Sequence, residues 1–309
     1  MTSSRHSALV TGATGFLGRQ IVTLLAQDNT LDVIAGSRGG QSVVGKPGFA
    51  YGDLADLRDL TAGLQGIDAV VHCAALAHVL REPDGDPLPR YMAVNCDATL
   101  ELARQAAAAG VQRFIFISSI GVNGNQTHGT PFRPDDPPAP HAPYAVSKLA
   151  AEEGLMEIAR DTGLEVVILR LPLVLGPDPV GNLASLSRLI GKGVPLPFGL
   201  ATGNRRSLVT APTVARAIRD CLHNPQAIGQ VFLVADTPPL HLRGILTTLA
   251  DLTGQRLKLV PVPVWLLRGM LRLAGKGKAA DQLFGDLEID SSHLRRRLGW
   301  TDCPDTEQD

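Results

Sequence analysis

Cysteine is scarce and scattered: Cys73, Cys96, Cys221 and Cys303 lie far apart, with no C-x-x-C pair. That pattern argues against a disulfide framework or a zinc site, so no metal is expected, and a reducing cytoplasm fits best. Excess charge of either sign is also missing. The 29 Lys and Arg against 30 Asp and Glu leave a net charge of −1, which offers no field for DNA, RNA or an anionic membrane; any anionic ligand must be held by a local site. No uninterrupted apolar run approaches the roughly 18–20 residues that span a bilayer, and the opening MTSSRHSALVTGATG has no apolar core of signal-peptide length. The stretch nearest to one, Val264 to Ala274, is broken by Arg268 and Arg272. It reads as an amphipathic helix that packs against this protein or a partner.

What is present is an ordinary globular composition, 44% apolar and 19% charged over 309 residues, enough for one large domain or two smaller ones. No internal repeat is found. The first half alternates short apolar runs (Ser7–Thr11, Val33–Ser37, Ala69–Ala74, Phe114–Ser118, Val166–Leu171) with helical patterns (Phe16–Gln27, Asp56–Leu64, Ala93–Ala109, Tyr144–Thr162). Runs apolar throughout suit strands buried on both faces, and the alternation predicts a doubly wound α/β fold of Rossmann type. After Leu171 the texture changes to frequent Pro and Gly, with two helical stretches at Thr213–His223 and Arg243–Thr253. Residues 1–171 are therefore read as a dinucleotide-binding domain and 172–309 as a smaller, interleaved substrate lobe. Returning segments are expected near 206–236, with Gln230–Ala235 rejoining the main sheet. The proline-rich run from Pro131 to Pro143 is a loop before the Tyr144 helix.

Thr11-Gly12-Ala13-Thr14-Gly15-Phe16-Leu17-Gly18 sets three glycines at G-x-x-G-x-x-G spacing, after a strand and opening a helix. Such a turn lets the backbone approach a pyrophosphate seated on the helix N-terminus. Gly12, Thr14, Gly15, Phe16, Leu17 and Gly18 are accordingly candidate cofactor residues. At the end of the second strand an acid would bind the ribose 2′-hydroxyl of NAD, but the chain has Ser37-Arg38. Arg38 suits a 2′-phosphate, which favours NADP over NAD; otherwise it is a solvated loop residue or stacks on adenine. Asp53, followed by Leu54, either meets the adenine amino group or caps the helix that follows. Cys73, Ala74 and Ala75 end the fourth strand with small residues that let a cofactor lie close, and Leu171 ends a later one.

Tyr144 and Lys148 stand at i and i+4 and share a helix face. An ammonium near the phenol is expected to lower its pKa from about 10 toward the working range, so that it can exchange a proton with a sugar hydroxyl as hydride moves. Ser119, at a strand's carboxyl end, would hydrogen-bond the reacting oxygen, with Ser118 its rival.

Together these residues resemble the extended short-chain dehydrogenase/reductase family, of the NAD-dependent epimerase/dehydratase type that includes UDP-glucose 4-epimerase. The resemblance runs from TGATGFLG to Leu298-Gly299-Trp300. It implies that Ser119, Tyr144 and Lys148 are catalytic and that Asn95 supports the lysine through water, unless Asn95 is simply satisfied within a buried helix. Arg170 to Pro177 looks like the family's R-x-x-x-V-Y-G-P stretch, with Leu175 in place of tyrosine. Asn182 matches the element that meets the sugar diphosphate, Pro197 and Phe198 the segment lining the base, and Arg206 the arginine that neutralises substrate phosphate, if it is not merely a solvated surface residue. The pattern is most similar to bacterial enzymes acting at C4 of UDP-N-acetylhexosamines and their 6-deoxy-4-keto forms, in surface polysaccharide synthesis. A homodimer through the Ala93–Ala109 and Tyr144–Thr162 helices is implied.

The expected activity is thus C4 epimerisation or 4-keto reduction of a UDP-hexose or UDP-N-acetylhexosamine, the missing acid after strand two tilting toward an NADPH-exchanging reductase. A reductase of a non-sugar carbonyl competes, though it needs no phosphate clamp. A non-catalytic dinucleotide sensor would not need Ser119, Tyr144 and Lys148 intact. A dehydratase is disfavoured because Ile120-Gly121, not acids, follow Ser119.

Overall fold

The computed structural model describes residues 5–77 and 85–301; Cys303 and the side chain of Asn182 lie outside the described residues. The first half contains β1 (His6–Thr11), α1 (Phe16–Leu25), β2 (Leu31–Ser37), β3 (Gly48–Ala50), α2 (Thr61–Leu64), β4 (Ala69–His72), α3 (Leu88–Tyr91), α4 (Ala98–Ala108), β5 (Arg113–Ser119), α5 (Pro143–Thr162) and β6 (Glu165–Leu171). Then follow β7 (Leu173–Leu175), α6 (Gly181–Gly191), β8 (Arg206–Thr210), α7 (Ala211–His223), β9 (Val231–Leu233) and β10 (Asp236–Leu240). The chain closes with α8 (Leu242–Leu252), α9 (Val264–Leu273), α10 (Gly277–Phe284) and α11 (Ser292–Leu298).

Seven strands form a parallel sheet in the order β3-β2-β1-β4-β5-β6-β9. Side chains alternate across it. Val10, Ile115 and Val167 face α1 and α7 through Ile21, Leu25, Val214 and Ile218. Leu9, Val70, Phe114 and Ile168 face α4 and α5 through Leu102, Ala106, Ala151 and Leu155. Both faces are covered, so the strands read as unbroken apolar runs. This is a Rossmann-type sheet. Its order reverses between β1 and β4, so the crevice opens beyond the carboxyl ends of these two strands.

A second, three-stranded sheet, β10-β8-β7, packs with α6, α8 and α10 around Leu175, Leu183, Leu246, Leu249 and Phe284. The chain passes between the two sheets. β8 belongs to the small one, while α7 returns to the face of the large one and β9 pairs with β6. Among the described residues five helices besides α7 lie beyond residue 180, where two were expected, at Arg243–Thr253 and Val264–Ala274. Among the described residues no helix is long and apolar enough to cross a membrane.

The helix expected over Asp56–Leu64 is broken. Asp53 accepts from Ala55 N at 3.0 Å and starts a 3-10 turn over Leu54–Asp56, while Asp59 accepts from Thr61 N at 2.8 Å just before α2. Each aspartate offers the backbone a local cap, which interrupts a continuous helix. The helix expected at Ala93–Ala109 also changes character, with a wide π turn over Met92–Asp97 preceding α4.

Candidate active site

The glycine turn and the end of β4 meet backbone to backbone. Gly12 has φ +70°, and a Cβ there would sit 2.8 Å from Ala74 N; a Cβ on Gly18 would sit 2.2 Å from Gly12 O. Gly15 opens α1 with no side-chain cap and no acid in the first turn, so the helix's first N–H groups face outward without a side-chain acceptor. Such an end favours a phosphate, and the cradle that a Cβ would fill fits a dinucleotide. Thr14 is exposed beside it. The Phe16 ring closes against the second lobe, 2.8 Å from where a Cβ on Gly176 would lie.

A hydrogen-bonded chain that no motif announces locks this corner. Thr99 donates to Asn95 O at 2.8 Å, so it accepts from His72 Nε2 at 3.1 Å. His72 Nδ1 then accepts from Thr11 Oγ1 at 2.8 Å, and that oxygen takes the Ala74 N–H at 3.3 Å. Burial drives the His72 pKa down to about 3, so the ring is neutral, as this pattern requires. The Tyr51 hydroxyl also receives a hydrogen bond from the Gly12 backbone, while burial raises its pKa. No motif marks either residue.

At the ribose end, Ser37 is buried and its hydroxyl is engaged by Gln41, donating to Oε1 at 2.6 Å and accepting from N at 3.0 Å. Arg38 is exposed. Asp53 caps Ala55, and Leu54 packs at the core's edge.

Adjacent positions on β5 separate the two serines. Ser118 is buried and donates to Glu152, whereas Ser119 is half-buried and accepts from Gly121 N at 3.1 Å. Ser119 is therefore the one left for the cleft. A Cβ on Gly121 would lie 3.3 Å from both Ser119 Oγ and Ala145 Cβ, which puts this turn against the first turn of α5. There Tyr144 is half-buried, with its ring edge-on to Tyr91 at 6.2 Å. Lys148 is buried and donates to Ile117 O at 2.9 Å. Its Nζ sits 4.2 Å from the centre of the Phe116 ring and 6.0 Å from that of Tyr144.

The expected electrostatics are reversed in the protein alone. Burial pushes the Tyr144 phenol up to about 12, with Tyr91 adding to the rise, and no lowering by Lys148 is seen. Burial lowers Lys148 to about 8, opposed by Cys73 and Glu152. Desolvation of each group outweighs their mutual attraction, because the ammonium is spent on the Ile117 carbonyl and an aromatic face. Cys73, beside Lys148 at the end of β4, is itself pushed up to about 12 by burial. Ala74 and Ala75 continue past the Gly12 turn, and Leu171, buried at the end of β6, pairs with Ser119.

Asn95 lies fully buried in the π turn and does not reach Lys148 directly. Its Oδ1 accepts from Leu76 N at 2.7 Å, and its Nδ2 donates to Leu76 O at 3.0 Å and Ser147 Oγ at 3.1 Å. Ser147 in turn donates to Tyr144 O at 2.8 Å. Asn95 thus clamps the segment after β4 to the helix carrying Tyr144, the role of a satisfied buried amide.

In the second lobe Arg206 is not a solvated surface residue. One guanidinium nitrogen donates to Gln282 O at 2.9 Å and Gly285 O at 3.1 Å, and burial lowers its pKa. Arg205, by contrast, pairs with Glu288 at 2.8 Å on the surface. Asn182 stands in the first turn of α6. Pro197 and Phe198 are half-buried, and the Phe198 ring centre lies 6.2 Å from that of Phe284.

A reversed-order parallel sheet with a glycine cradle, and a Tyr–Lys pair one turn apart beside it, defines a dinucleotide-dependent enzyme class. Residues 8–235 match the NAD dependent epimerase/dehydratase family, and the chain belongs to that family, within the extended short-chain dehydrogenases/reductases. A UDP-glucose 4-epimerase of Vibrio cholerae is 41% identical over 297 residues, 95% of this chain and 90% of the relative. An N-acetyl-alpha-D-glucosaminyl-diphospho-ditrans,octacis-undecaprenol 4-epimerase of Escherichia coli O157:H7 is 28% identical over 269 residues, 85% of this chain and 78% of that one. The solved complex of MoeE5 with UDP-glucuronic acid and NAD superposes with a TM-score of 0.73 at 28% identity, covering 95% of this chain and 92% of the other.

Proposed function

We propose that the chain inverts the C4 configuration of a UDP-hexose or UDP-N-acetylhexosamine. The observation that carries this reading is Tyr144 and Lys148 one turn apart on α5, with the Ser119 turn pressed against that helix at the crevice of the sheet. The 41% identity to an epimerase supports it.

Bound NAD supplies the hydride acceptor and, when oxidised, a positive charge near the phenol. Ser119 Oγ holds the C4 oxygen. Tyr144 would take the C4 hydroxyl proton on oxidation and return it to the same oxygen on reduction from the opposite face. Lys148, kept as an ammonium by Glu152 one turn on, steadies the phenolate. Gly12, Thr14, Gly15, Phe16, Leu17 and Gly18 hold the pyrophosphate; Ser37, Asp53 and Leu54 line the adenosine end. Cys73, Ala74, Ala75 and Leu171 border the nicotinamide end, with Asn95 positioning that wall. Arg206, through the guanidinium nitrogens its carbonyl partners leave, and Asn182 meet the diphosphate, while Pro197 and Phe198 border the base. Residues 1–171 act as the cofactor domain and 172–309 as the substrate lobe, and two copies associate through α4 and α5.

A second reading, a UDP-4-keto-hexose reductase exchanging NADPH, is favoured by one feature: exposed Arg38 at the end of β2 with no acid beside it. A panel of UDP-sugars with product analysis by NMR separates the two. Interconversion without added cofactor supports the epimerase; turnover only with NADPH, weakened about tenfold or more in affinity by Arg38→Ala at the cost of a charged hydrogen bond, supports the reductase. Conversion of neither class of sugar refutes both.

A further inference from the structure

Helix α9 is apolar on two faces yet lies on the surface. Val264, Leu267 and Leu271 pack into the core of the small lobe. On the other side Trp265 is 75% exposed, Met270 59%, Leu273 92% and Leu266 40%. At about 100° per residue, Trp265, Gly269, Leu273, Leu266 and Met270 fall within one arc of about 140°, with no polar side chain inside it. A helix hydrophobic all round belongs in a core or against an apolar phase. The single packing face expected from the sequence accounts for only half of it.

Charge says which phase. From Leu252 to Ala280 the chain carries Arg256, Lys258, Arg268, Arg272, Lys276 and Lys278 and no Asp or Glu. The near-zero net charge conceals this segment. Arg268 turns inward to Phe284 O at 2.7 Å, but Arg272 and Lys276 are exposed next to the apolar arc. Among the described residues Arg272 meets a loose, exposed partner, Asp281 at 3.8 Å. Exposed Trp, Leu and Met with basic residues beside them are the make-up of a helix that lies in the plane of an anionic bilayer surface. A self-complementary protein interface would need acids to match these cations, and the two that flank the segment, Asp251 and Asp281, are outnumbered by its six basic residues.

We propose that α9 docks the enzyme peripherally on an anionic phospholipid surface, with Trp265, Met270 and Leu273 entering the headgroup region and Arg272 and Lys276 meeting lipid phosphate. The site is linked to the substrate lobe, because α10 follows directly, carries Phe284 against Phe198, and presents the Gln282 carbonyl to Arg206.

The two tryptophans make the test direct. Trp300 is buried and donates to Asp220 at 2.7 Å, so Trp265 dominates any change in fluorescence. Full-length protein is mixed with vesicles of phosphatidylglycerol and phosphatidylcholine, or of phosphatidylcholine alone. Expected are co-sedimentation and a blue shift with the anionic vesicles only, both abolished in Trp265→Ser/Met270→Ser/Leu273→Ser. Arg272→Glu/Lys276→Glu weakens binding by at least about 25-fold at low salt, taking about fivefold for each cation lost. Turnover of a soluble UDP-sugar is unchanged in both variants, which separates this inference from the proposed activity. An unshifted spectrum and no co-sedimentation with anionic vesicles overturn the proposal. So does a blue shift that appears without lipid on raising protein concentration, since a second copy would then cover the face.

Discussion

Glu152 Oε2 lies 2.6 Å from Arg170 Nη2, with both side chains only 5% exposed. Arg170 Nε reaches both carboxylate oxygens at 3.1 Å, its Nη1 donates to Asn123 Oδ1 at 2.9 Å, and Ser118 donates to the same carboxylate. One pair thereby ties α5 to β6, to β5 and to the turn after Ser119. Glu152 stands one turn beyond Lys148, so it sets the register of the helix that carries Tyr144. Removing one partner strands a buried charge, and Glu152→Met or Arg170→Met is expected to cost about 3–5 kcal/mol. Glu152→Met/Arg170→Met should cost less than the two single changes summed. Urea unfolding of the four proteins checks this; additive losses would mean that the pair is not coupled.

Tyr144→Phe removes the hydroxyl and leaves the ring against Tyr91. A positioned acid/base contributes about 10²–10⁴ in rate, so kcat should fall by that factor while NAD affinity and thermal stability hold. Steady-state kinetics beside a cofactor titration reads both. Retained turnover would remove Tyr144 from the chemistry.

The Lys148 pKa, lowered by burial from its ordinary value to about 8, makes stability depend on pH in a defined direction. Between about pH 8 and the ordinary lysine value near 10.4, the unfolded chain holds a proton that the folded one has lost, so this group's contribution rises with pH. Below pH 8 the full cost of burying the ammonium is present. Lys148→Met should therefore be more stable than wild type at pH 7, with the advantage shrinking toward pH 10. Guanidinium unfolding of both proteins at pH 7, 8.5 and 10 checks it; a gap independent of pH would place the lysine in a well-solvated position. A more stable but inactive Lys148→Met would show the charge to be kept for function rather than for folding.

How much of this was legible depended on whether the signal was local. The Gly12-to-Gly18 turn, the strands around it and the Tyr144–Lys148 spacing rest on short-range geometry, and the sheet follows from them. Asp53 is legible as a cap, one of its two readings, but the break within Asp56–Leu64 is not, because Asp59 reads equally well as a helix residue and as a cap. The π turn at Met92–Asp97 escaped because Asn95 answers to Leu76 and Ser147, partners distant in sequence. A charge pair can be read from i,i+4 spacing, but desolvation cannot, so the Tyr144 phenol shifts opposite to expectation. The second apolar face of α9 was visible only once its first face had found a core.

Gly12 joins cofactor binding to the packing of β4. Its left-handed backbone would cost an alanine about 1–2 kcal/mol, and the added Cβ would lie 2.8 Å from Ala74 N and 2.9 Å from Ala74 Cα. Backbone cannot rotate away as a side chain can, so the turn or the Cys73–Ala75 segment must shift, and both line the crevice. Gly12→Ala should therefore weaken NAD binding at least about tenfold, equivalent to 1.4 kcal/mol or more. Gly18→Ala meets Gly12 O at 2.2 Å and should displace α1 from the same turn, losing stability along with affinity. Calorimetric titration with NAD and thermal unfolding of both variants give the comparison. Wild-type affinity in Gly12→Ala would mean that the dinucleotide does not rest on this turn.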